Sequence, residues 1–358
     1  MKITVTDGRD LSNDQLAAWG RLQCADSRFR SPFFRPEFTQ MVAATRDDVE
    51  VGIIEDDGQC VGFFPFQRNR AGVGTPVSSR LSDFHGVVLK SGVHLDPVEL
   101  IRACGLSAWH FDHLAFARDS FSPFCWFHEF SPYIELPSGF DAYLDERRAA
   151  GAGEVMQTLN KKKKSERQLG PVRLEWRTTD KRVLESLMAW KAQQYQRSKI
   201  INPFTFPWVV ELLERLLQMP DDPDFTGMLS ALYIGDRLAA AHIGMRSRRT
   251  VHWWFTAYDP ELGKYSPGSQ LLLELTRESA SRGLTRLDLG KGTETYKRAF
   301  MTGAAPLALG SIDTRPATRT VRRLWHRTRR WVGASRYRPL ALGPWYMIMR
   351  VRDQFQFR

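Results

Sequence analysis

The feature that most constrains the fold is an alternation of strands and helices within residues 234–289. Two apolar stretches flank the turn at 234–237 and predict a β-hairpin, and residues 250–258 predict a third, longer strand. Residues 267–282 then predict a helix, and residues 286–289 return to the pattern of a strand. Strands that alternate with helices in this way indicate an α/β protein, in the broad sense that includes α+β, with helices packed on a mixed sheet.

The first half of the chain repeats this order of elements. Residues 49–54 and 60–66 are apolar runs around the turn sequence 56–58, which predicts a hairpin, and a helix is expected to start at Asp96. Recurring strand–turn–strand units indicate a diverged internal repeat, and 358 residues fit two domains of ordinary size. We therefore expect a first domain at 1–150, a second domain at 151–313 and a tail at 314–358.

Composition is that of an ordinary globular protein, with 42% hydrophobic and 25% charged residues, which excludes global disorder. No charge-free apolar run is long enough to cross a bilayer, and the start at Met1 does not resemble a signal peptide, so we expect a cytoplasmic protein. The four cysteines lie far apart and form no Cys-x-x-Cys pair, which favours buried free thiols.

The net charge of +11 resides in the tail. Residues 314–358 hold twelve arginines and one acidic residue, Asp353, so the rest of the chain is formally neutral. Apolar side chains recur there at helical spacing among the arginines and predict a basic amphipathic helix that docks on an anionic membrane surface. Packing against the body, and contact with RNA or a protein partner, are the alternatives. The apolar positions are Val321, Leu324, Trp325, Thr328, Trp331 and Val332.

The helix that starts at Ser266 is a candidate phosphate site. Ser266 suits the N-cap and Pro267 the first helical position, while the next acidic residue is Glu274, so the first-turn amides lack an internal anion. Such a helix end attracts phosphate. In the first half, Asp96 and Glu99 fill the corresponding helix start with carboxylates. We therefore predict one phosphate site, in the second half; an ordinary capped helix is the alternative.

Motifs in both halves resemble those of one known family. They are Ser31-Pro-Phe-Phe, Leu81-Ser-Asp-Phe-His-Gly86, Lys191-Ala-Gln-Gln-Tyr195, Tyr258-Asp259-Pro260, Lys264-Tyr265-Ser266-Pro267-Gly268, Gly283, Asp288-Leu289-Gly290, Gly292 and Tyr296-Lys297. Together they resemble the CelD-type (or BcsL-type) acetyltransferases of the GNAT superfamily, which is related to the Fem-type peptidoglycan aminoacyltransferases. The resemblance implies tandem GNAT folds, acetyl-CoA or another acyl-CoA bound by the second fold, and a link to bacterial cellulose or exopolysaccharide production.

One motif departs from the family pattern. The usual GNAT pyrophosphate loop reads Gln/Arg-x-x-Gly-x-Gly/Ala, whereas this chain has Lys264-Tyr-Ser-Pro-Gly-Ser at the matching place. We expect first-turn amides to bind the pyrophosphate and Lys264 to add positive charge. The predicted acyl-CoA contacts are Lys264, Ser266, Pro267, Gly268, Ser269 and Gln270.

The resemblance also suggests catalytic residues. Tyr296 stands where many GNAT enzymes have a tyrosine that protonates the departing thiolate; a tyrosine packed in the core is the alternative. His242 is a candidate base because imidazole suits proton abstraction near neutral pH, although a hydrogen-bonded structural histidine is also expected at such a site. Asp288, at the end of a strand, is a third candidate.

Charged residues near strand ends predict the acceptor side of the site. Glu294 and Lys297 follow the strand that ends near Asp288, and such positions often line a cleft. Asp83 and His85, from the family-like segment of the first half, are expected to bind the acceptor or assist the base. Solvated or ion-paired side chains, or a simple turn, are the alternatives.

Other chemistries lack their motifs. The segment 290–293 does not complete a Walker A sequence, and no Gly-x-Ser-x-Gly elbow is present. On a strand, His110 and His113 would point to opposite faces, so no metal is expected. The run 161–164 of lysines lies in a predicted helix and favours a solvated face, with an anionic ligand as the alternative.

The sequence therefore predicts an acyl-CoA-dependent N- or O-acyltransferase that acts on a saccharide or other envelope precursor, with nucleic acid an unexpected partner. Two alternatives stay open at this stage. One is a Fem-like aminoacyltransferase that uses charged tRNA, for which the basic tail would contact RNA. The other is a non-catalytic module of a polysaccharide synthase complex.

Overall fold

A computed structural model describes residues 1–115, 119–292 and 294–315, together with 318, 320–322, 324 and 328. Its strands are β1 (Lys2–Asp7), β2 (Val49–Asp56), β3 (Gln59–Arg68), β4 (Val73–Thr75), β5 (Val88–Leu89), β6 (Ala108–Ala115), β7 (Cys125–Glu135), β8 (Val172–Glu175), β9 (Thr226–Ile234), β10 (Arg237–Ser247), β11 (Thr250–Tyr258), β12 (Arg286–Asp288) and β13 (Gly303–Asp313). Its α-helices are α1 (Asn13–Ala25), α2 (Pro36–Ala43), α3 (Pro97–Ala103), α4 (Gly139–Ala149), α5 (Gly153–Leu169), α6 (Lys181–Ser198), α7 (Pro207–Gln218), α8 (Pro267–Ser281) and α9 (Thr295–Phe300).

The chain folds into two compact units, and each unit is built from segments that are not contiguous in the sequence. The first unit comprises Met1–Phe29, Pro36–Glu129 and the described residues from Pro306 onward, and the second comprises Arg30–Arg35 and Phe130–Ala305. The boundaries between these units differ from the predicted domain bounds at 150 and 313. The reason is that most of β13 pairs with β6 of the first unit, while α4 packs on α8 of the second.

The first unit is a mixed sheet with the strand order β1-β2-β3-β4-β6-β13, and β5 pairs with β3. Alternate residues of β3 point to opposite faces. Phe63 stacks on Trp19 of α1, with ring centroids 4.8 Å apart, whereas Phe64 packs against Trp109 of β6 at 5.0 Å. Phe64 also belongs to the core cluster that contains Leu100 of α3. Helices therefore cover both faces of the strand, which explains why β3 is apolar along most of its length.

The second unit has the strand order β7-β12-β11-β10-β9-β8. The leucines of α8 are fully buried in a core that also contains Tyr143 of α4 and Phe300 of α9. The Tyr143 hydroxyl donates to the Phe300 carbonyl at 2.9 Å, which fastens α4 to this unit. α6 packs on β10 and β11, and α7 packs on β9.

Most predicted elements of the second half are present. β11 has the predicted bounds. The sequence pattern also predicts helices at 154–168, 181–197 and 206–217, and the ends of α5, α6 and α7 each lie within one residue of these bounds. The sequence pattern predicts only short strands at 133–136 and 309–312, whereas β7 and β13 each extend for 11 residues. Both contain a proline, Pro132 or Pro306, which argues against a strand when only the sequence is known.

The cysteines are free thiols, as predicted, but only Cys104 is buried. Burial raises the pKa of Cys104 to about 12 and that of Cys125 to about 11. Both are therefore protonated near neutral pH. Within the described ranges, no helix combines the length and the apolar character needed to cross a bilayer.

Gly227 at the start of β9 is required by a close backbone approach. A Cβ atom at this position would lie 2.0 Å from the Leu216 carbonyl oxygen at the end of α7. Gly227→Ala should therefore lower the free energy of unfolding by about 1–3 kcal/mol, as over-packing typically does. Urea denaturation measures this loss.

The matched control is Gly153→Ala at the start of α5, where an added Cβ meets nothing within 4 Å. This variant should keep the wild-type free energy of unfolding. Equal stability of the two variants would contradict the close packing of α7 on β9.

Candidate active site

β11 and β12 start as neighbours and then part. They pair in parallel over three residues, the last pair being His252 with Asp288. β11 continues to Tyr258, whereas the chain turns away after β12 at Gly290, which has a φ of +69°. Among the described strands, none pairs with this side of β11 beyond His252. We call the opening between residues 253–258 and 289–292 the fork. The edge of β11 that faces the fork can bond an extended ligand.

A short 3-10 helix, Pro260–Tyr265, connects the outer end of β11 to the start of α8. Helix geometry leaves the amides of Gly268 and Ser269 without an acceptor inside the helix, whereas the Gln270 amide already donates to the Ser266 carbonyl at 3.1 Å. A Cβ atom at Gly268 would lie 3.4 Å from the ring of Tyr258. The helix start thus offers two amides to an anion, and the prediction that the Gln270 amide is a third is wrong.

Ser266 is the N-cap residue by position but does not cap the helix. Its backbone is left-handed, with a φ of +53°, and its side chain accepts no amide of the first turn. The hydroxyl instead accepts a hydrogen bond from the Lys161 ammonium at 2.7 Å. Lys161 therefore supplies the positive charge at this helix start, close to the Gly268 and Ser269 amides.

The remaining predicted contacts shape the loop before α8. Pro267 occupies the first helical position, as predicted. Gln270 is fully buried, and its side-chain amide donates to the Tyr265 carbonyl at 2.9 Å and to the Ser165 hydroxyl at 3.3 Å. Lys264 is exposed, and its ammonium lies 4.9 Å from the ring centroid of Tyr265. These contacts hold the loop against α5.

Helical periodicity divides the lysine run of α5. Lys161 reaches Ser266, and Lys162 pairs with Glu274 of α8 at 2.7 Å, whereas Lys163 and Lys164 are exposed. The lysine run as a sequence favours a solvated face, with an anionic ligand as the alternative, and does not single out Lys161. Helical spacing could have indicated that Lys161 faces the protein, because Thr158 lies three residues before it and Ser165 four residues after it on the same face. The structure buries both of these side chains.

Asp288 belongs to a buried ion-pair network. Its Oδ1 accepts from the Arg286 guanidinium at 2.6 Å, and Arg286 also donates to Glu135 at 2.8 Å. Arg30 donates to the same Glu135 oxygen at 3.0 Å. Burial alone would lower the pKa of Arg286, but the Asp288 charge and these hydrogen bonds raise it above its usual value. The carboxylate is thus buried and paired with Arg286 at the base of the fork.

α9 places Tyr296 and Lys297 beside the fork. Lys297 is buried, and its ammonium donates to the carbonyls of Gly290 at 3.3 Å and Lys291 at 2.9 Å. Glu294 pairs with Lys297 at 3.3 Å and stays half exposed. Tyr296 is half-buried against the core formed by α8 and β12. Lys297 therefore holds the segment that diverges from β11.

His242 is completely buried in β10. Its Nε2 lies 3.2 Å from the His252 carbonyl oxygen, and its ring stacks on Trp253 with centroids 4.6 Å apart. Burial lowers the pKa of His242 to about 3. A neutral imidazole that stays unprotonated at pH 7 is a weak base, so this environment favours the structural alternative.

In the first unit, His85 lies in a hydrogen-bonded cluster with its neighbours on β6. Potential ligand atoms of His85, Asp112 and His113 lie within 4.8 Å of one another. However, Nε2 of His85 accepts the amide of His113 at 3.1 Å, so its proton is on Nδ1, and His113 Nδ1 already contacts Asp112 at 2.9 Å. These bonds do not favour a metal site. Asp83 is half-buried two residues before His85, and its predicted acceptor role stays a prediction.

Removal of the buried Asp288 carboxylate should destabilise the second unit. Asp288→Ala leaves Arg286 with a single anionic partner, and a broken buried pair costs about 3 kcal/mol. Urea denaturation of Asp288→Ala, Arg286→Met and the double variant Arg286→Met/Asp288→Ala measures the coupling. The double variant should recover most of the loss because Glu135 keeps Arg30. Additive losses would contradict the ion pair.

Burial of His242 should make stability depend on pH. The unfolded chain binds a proton at the ordinary histidine pKa near 6.5, whereas the folded chain does not until about pH 3, so stability falls as the pH decreases between these values. His242→Phe, which keeps the stacking on Trp253, should reduce the slope of unfolding free energy against pH by about 1.4 kcal/mol per unit. Urea denaturation at pH 4, 5 and 6 tests this, and an unchanged slope would contradict it.

Part of the second unit matches a known protein family. Residues 153–298 match the family model described as an acetyltransferase (GNAT) domain, which spans the helix start, the fork and most of α9. No curated protein matches the sequence. Nothing in the family match extends to the first unit.

Two solved structures resemble both units. FemX is similar over 87% of this chain and 97% of its own, at 9% identity and a TM-score of 0.56. The C-terminal domain of a putative lysylphosphatidylglycerol synthetase from Agrobacterium fabrum is similar over 87% and 95%, at 11% identity and a TM-score of 0.54. The predicted α/β class with tandem GNAT-type folds is confirmed. Residues 153–298 thus form an acetyltransferase domain of the GNAT type, and the protein is an acyltransferase.

Proposed function

We propose that the second unit transfers an acyl group from an acyl-CoA thioester to an amine or hydroxyl acceptor. The observation that carries this proposal is the position of the fork directly before the α8 start. A ligand with an anionic pyrophosphate at one end and an extended, amide-containing arm at the other matches these two features. Acetyl-CoA and related thioesters have this form.

The pyrophosphate would bind at the amides of Gly268 and Ser269, where the helix dipole favours negative charge. The Lys161 ammonium, which lies on the Ser266 hydroxyl, would add a charge-assisted hydrogen bond. The pantetheine arm would then pair with the free edge of β11 and bring the thioester into the fork. This pairing would use backbone groups that the sheet leaves open on that side.

Transfer requires a proton for the departing thiolate. Tyr296 is the proposed donor because α9 carries it beside the segment that forms one wall of the fork. Its half-buried ring leaves the side chain accessible from one side. Asp288, by contrast, is proposed to act through Arg286 by holding the base of the fork, since it is nearly inaccessible to solvent.

The proposed acceptor is an envelope or exopolysaccharide precursor, of the kind that the CelD-type family resemblance implies. The proposed site of action is the inner surface of an anionic membrane. The described tail residues Val321 and Leu324 support this, since both expose apolar side chains in an arginine-rich segment. Of the other apolar positions of the predicted amphipathic helix, Thr328 is described, whereas Trp325, Trp331 and Val332 lie outside the described residues.

Acyl-CoA binding can be tested with a charge reversal. Acetyl-CoA at a hundred times its Kd should stabilise the protein by about 2.7 kcal/mol and raise the melting temperature by roughly 5 °C or more. Lys161→Glu should weaken binding by at least about tenfold, because it replaces a cation at the pyrophosphate with an anion. Differential scanning fluorimetry over a range of acetyl-CoA concentrations measures both effects.

The matched control is Lys163→Glu, which makes the same change at an exposed position of the same helix. It should bind acetyl-CoA like the wild type. Equal weakening in both variants would show a general charge effect and would count against the helix start. If no acyl-CoA shifts the melting temperature but an aminoacyl-tRNA binds, the aminoacyltransferase alternative replaces this proposal; binding of neither supports a non-catalytic module.

A further inference from the structure

α6 and α9 bring three charged side chains together beside the fork. Lys297 of α9 holds the carbonyls of Gly290 and Lys291, and Glu294 pairs with it at 3.3 Å. Lys191 of α6 lies within electrostatic range of both Lys297 and Glu294.

Aromatic contacts connect Lys191 to the β11 side of the fork. α6 packs on β11, and the Lys191 ammonium lies over the ring of Tyr195. The Tyr195 ring lies 6.2 Å from that of Phe204, which in turn lies 5.3 Å from the ring of Phe255 in the fork. Lys191 is therefore on the face of β11 that carries Phe255.

Lys191 has an unusual environment for a lysine. Its ammonium donates to the Gln194 side chain at 3.0 Å and lies 5.3 Å from the ring centroid of Tyr195, and the side chain is half-buried. Within the described part of the chain it forms no ion pair, although Lys297 is a like-charged neighbour. The charged form is therefore disfavoured both by burial and by repulsion.

The protonation equilibrium reflects this environment. Burial and then the charge of Lys297 lower the pKa of Lys191 to about 8, against the opposing effect of Glu294. Compared with an exposed lysine, the neutral amine is about two orders of magnitude more abundant at neutral pH. A lysine beside a second cation in a partly dry site is a recurrent arrangement in enzymes that need a reactive amine.

Other titratable groups on the elements that pack against α6 do not oppose this equilibrium. β10 and β11 contribute His242 and His252, which are fully buried, and burial keeps His242 neutral. Tyr233 of β9 interacts with charged residues at the other end of α6. The charges that act on Lys191 are thus those of Lys297 and Glu294.

We propose that Lys191 is the general base of the acyl transfer and takes the proton from the attacking acceptor. The proposal rests on the proposed function, since a base at this position is needed only if an acceptor attacks a thioester in the fork. It assigns to α6 a role that neither His242 nor Asp288 is placed to perform. It also accounts for a half-buried lysine that forms no ion pair with any described residue.

The proposed reaction is a simple acyl transfer from the thioester to the acceptor. The acceptor nitrogen or oxygen forms a bond to the thioester carbonyl carbon while its proton moves to the neutral Nζ of Lys191. The carbon–sulfur bond then breaks, and the sulfur takes a proton from the Tyr296 hydroxyl and leaves as the CoA thiol. Tyr296 regains a proton from Lys191 or water, which restores the starting state. The ammonium of Lys297 stays bound to its two carbonyl groups throughout.

The titration of Lys191 can be measured without any acceptor. Reductive methylation with ¹³C-formaldehyde labels lysines for NMR, and Lys191→Arg assigns the signal. We expect Lys191 to lose its proton near pH 8 and the exposed Lys163 to do so near the ordinary lysine value of about 10.4. Lys297→Met should move the Lys191 midpoint upward because it removes the neighbouring charge.

The catalytic role is tested by release of CoA thiol from acetyl-CoA, with water or glucosamine as the acceptor. The wild-type rate should rise with pH through about pH 8, and Lys191→Met and Lys191→Arg should each lower it by about 10²-fold or more. Lys191→Arg keeps the positive charge over Tyr195 but cannot act as a base. Lys181→Met, at the exposed start of α6, is the control and should keep the wild-type rate.

The outcomes separate this proposal from the proposed function. Both Lys191 variants should keep the acetyl-CoA-induced rise in melting temperature, because they leave the helix start unchanged. If Lys191→Arg retains the wild-type rate and pH profile, or if Lys191 titrates with Lys163, the base assignment is wrong while acyl-CoA binding stands. If acetyl-CoA binds to the wild type but no thiol is released, a Lys191 midpoint near pH 8 supports the base assignment, and a midpoint equal to that of Lys163 overturns it. Loss of binding in the wild type would instead overturn the proposed function.

Discussion

The second unit depends on one short pairing: three residues of β11 against three residues of β12, followed by divergence. Longer pairing would close the sheet and leave no free edge on β11. Shorter pairing would leave β12 without a place in the sheet. The buried Arg286–Asp288 pair lies on the last strand residues before the divergence, and Lys297 holds the chain immediately after it. Charged side chains thus set the point at which two parallel strands separate.

These charges are costly unless each has partners. Arg286 is satisfied by two carboxylates and lies over the Tyr133 ring, and Lys297 is satisfied by two carbonyls and Glu294. Lys191 differs from both, because its hydrogen bond goes to a neutral amide. Interior charges with complete hydrogen bonding suit a structural role, whereas a lysine whose charge is not compensated suits proton transfer. This contrast suits Arg286 and Lys297 to a structural role and Lys191 to the proposed proton transfer.

The starts of α3 and α8 also differ in the structure. Asp96 caps α3 by accepting the amides of Val98 at 2.7 Å and Glu99 at 3.1 Å, as the sequence predicted. In α8 the cap residue turns its hydroxyl to Lys161 and leaves two amides available. The difference follows from one side chain: a carboxylate at the N-cap neutralises the helix end, whereas a serine bound to a lysine makes it more positive.

The sequence by itself determined the elements, because caps, turns and hydrophobic periodicity act over a few neighbouring residues. It thereby predicted β11 and α8, and it correctly separated the two helix starts through Asp96. It did not determine which distant side chains meet. Lys161 contacts Ser266 across 105 residues, and Arg286 contacts Glu135 across 151. Only the tertiary structure decided that His242 is buried, that Gln270 spends its amide in the helix, and that Lys191 lies beside Lys297. Burial and long-range Coulomb contacts arise when segments pack, and no local pattern encodes them.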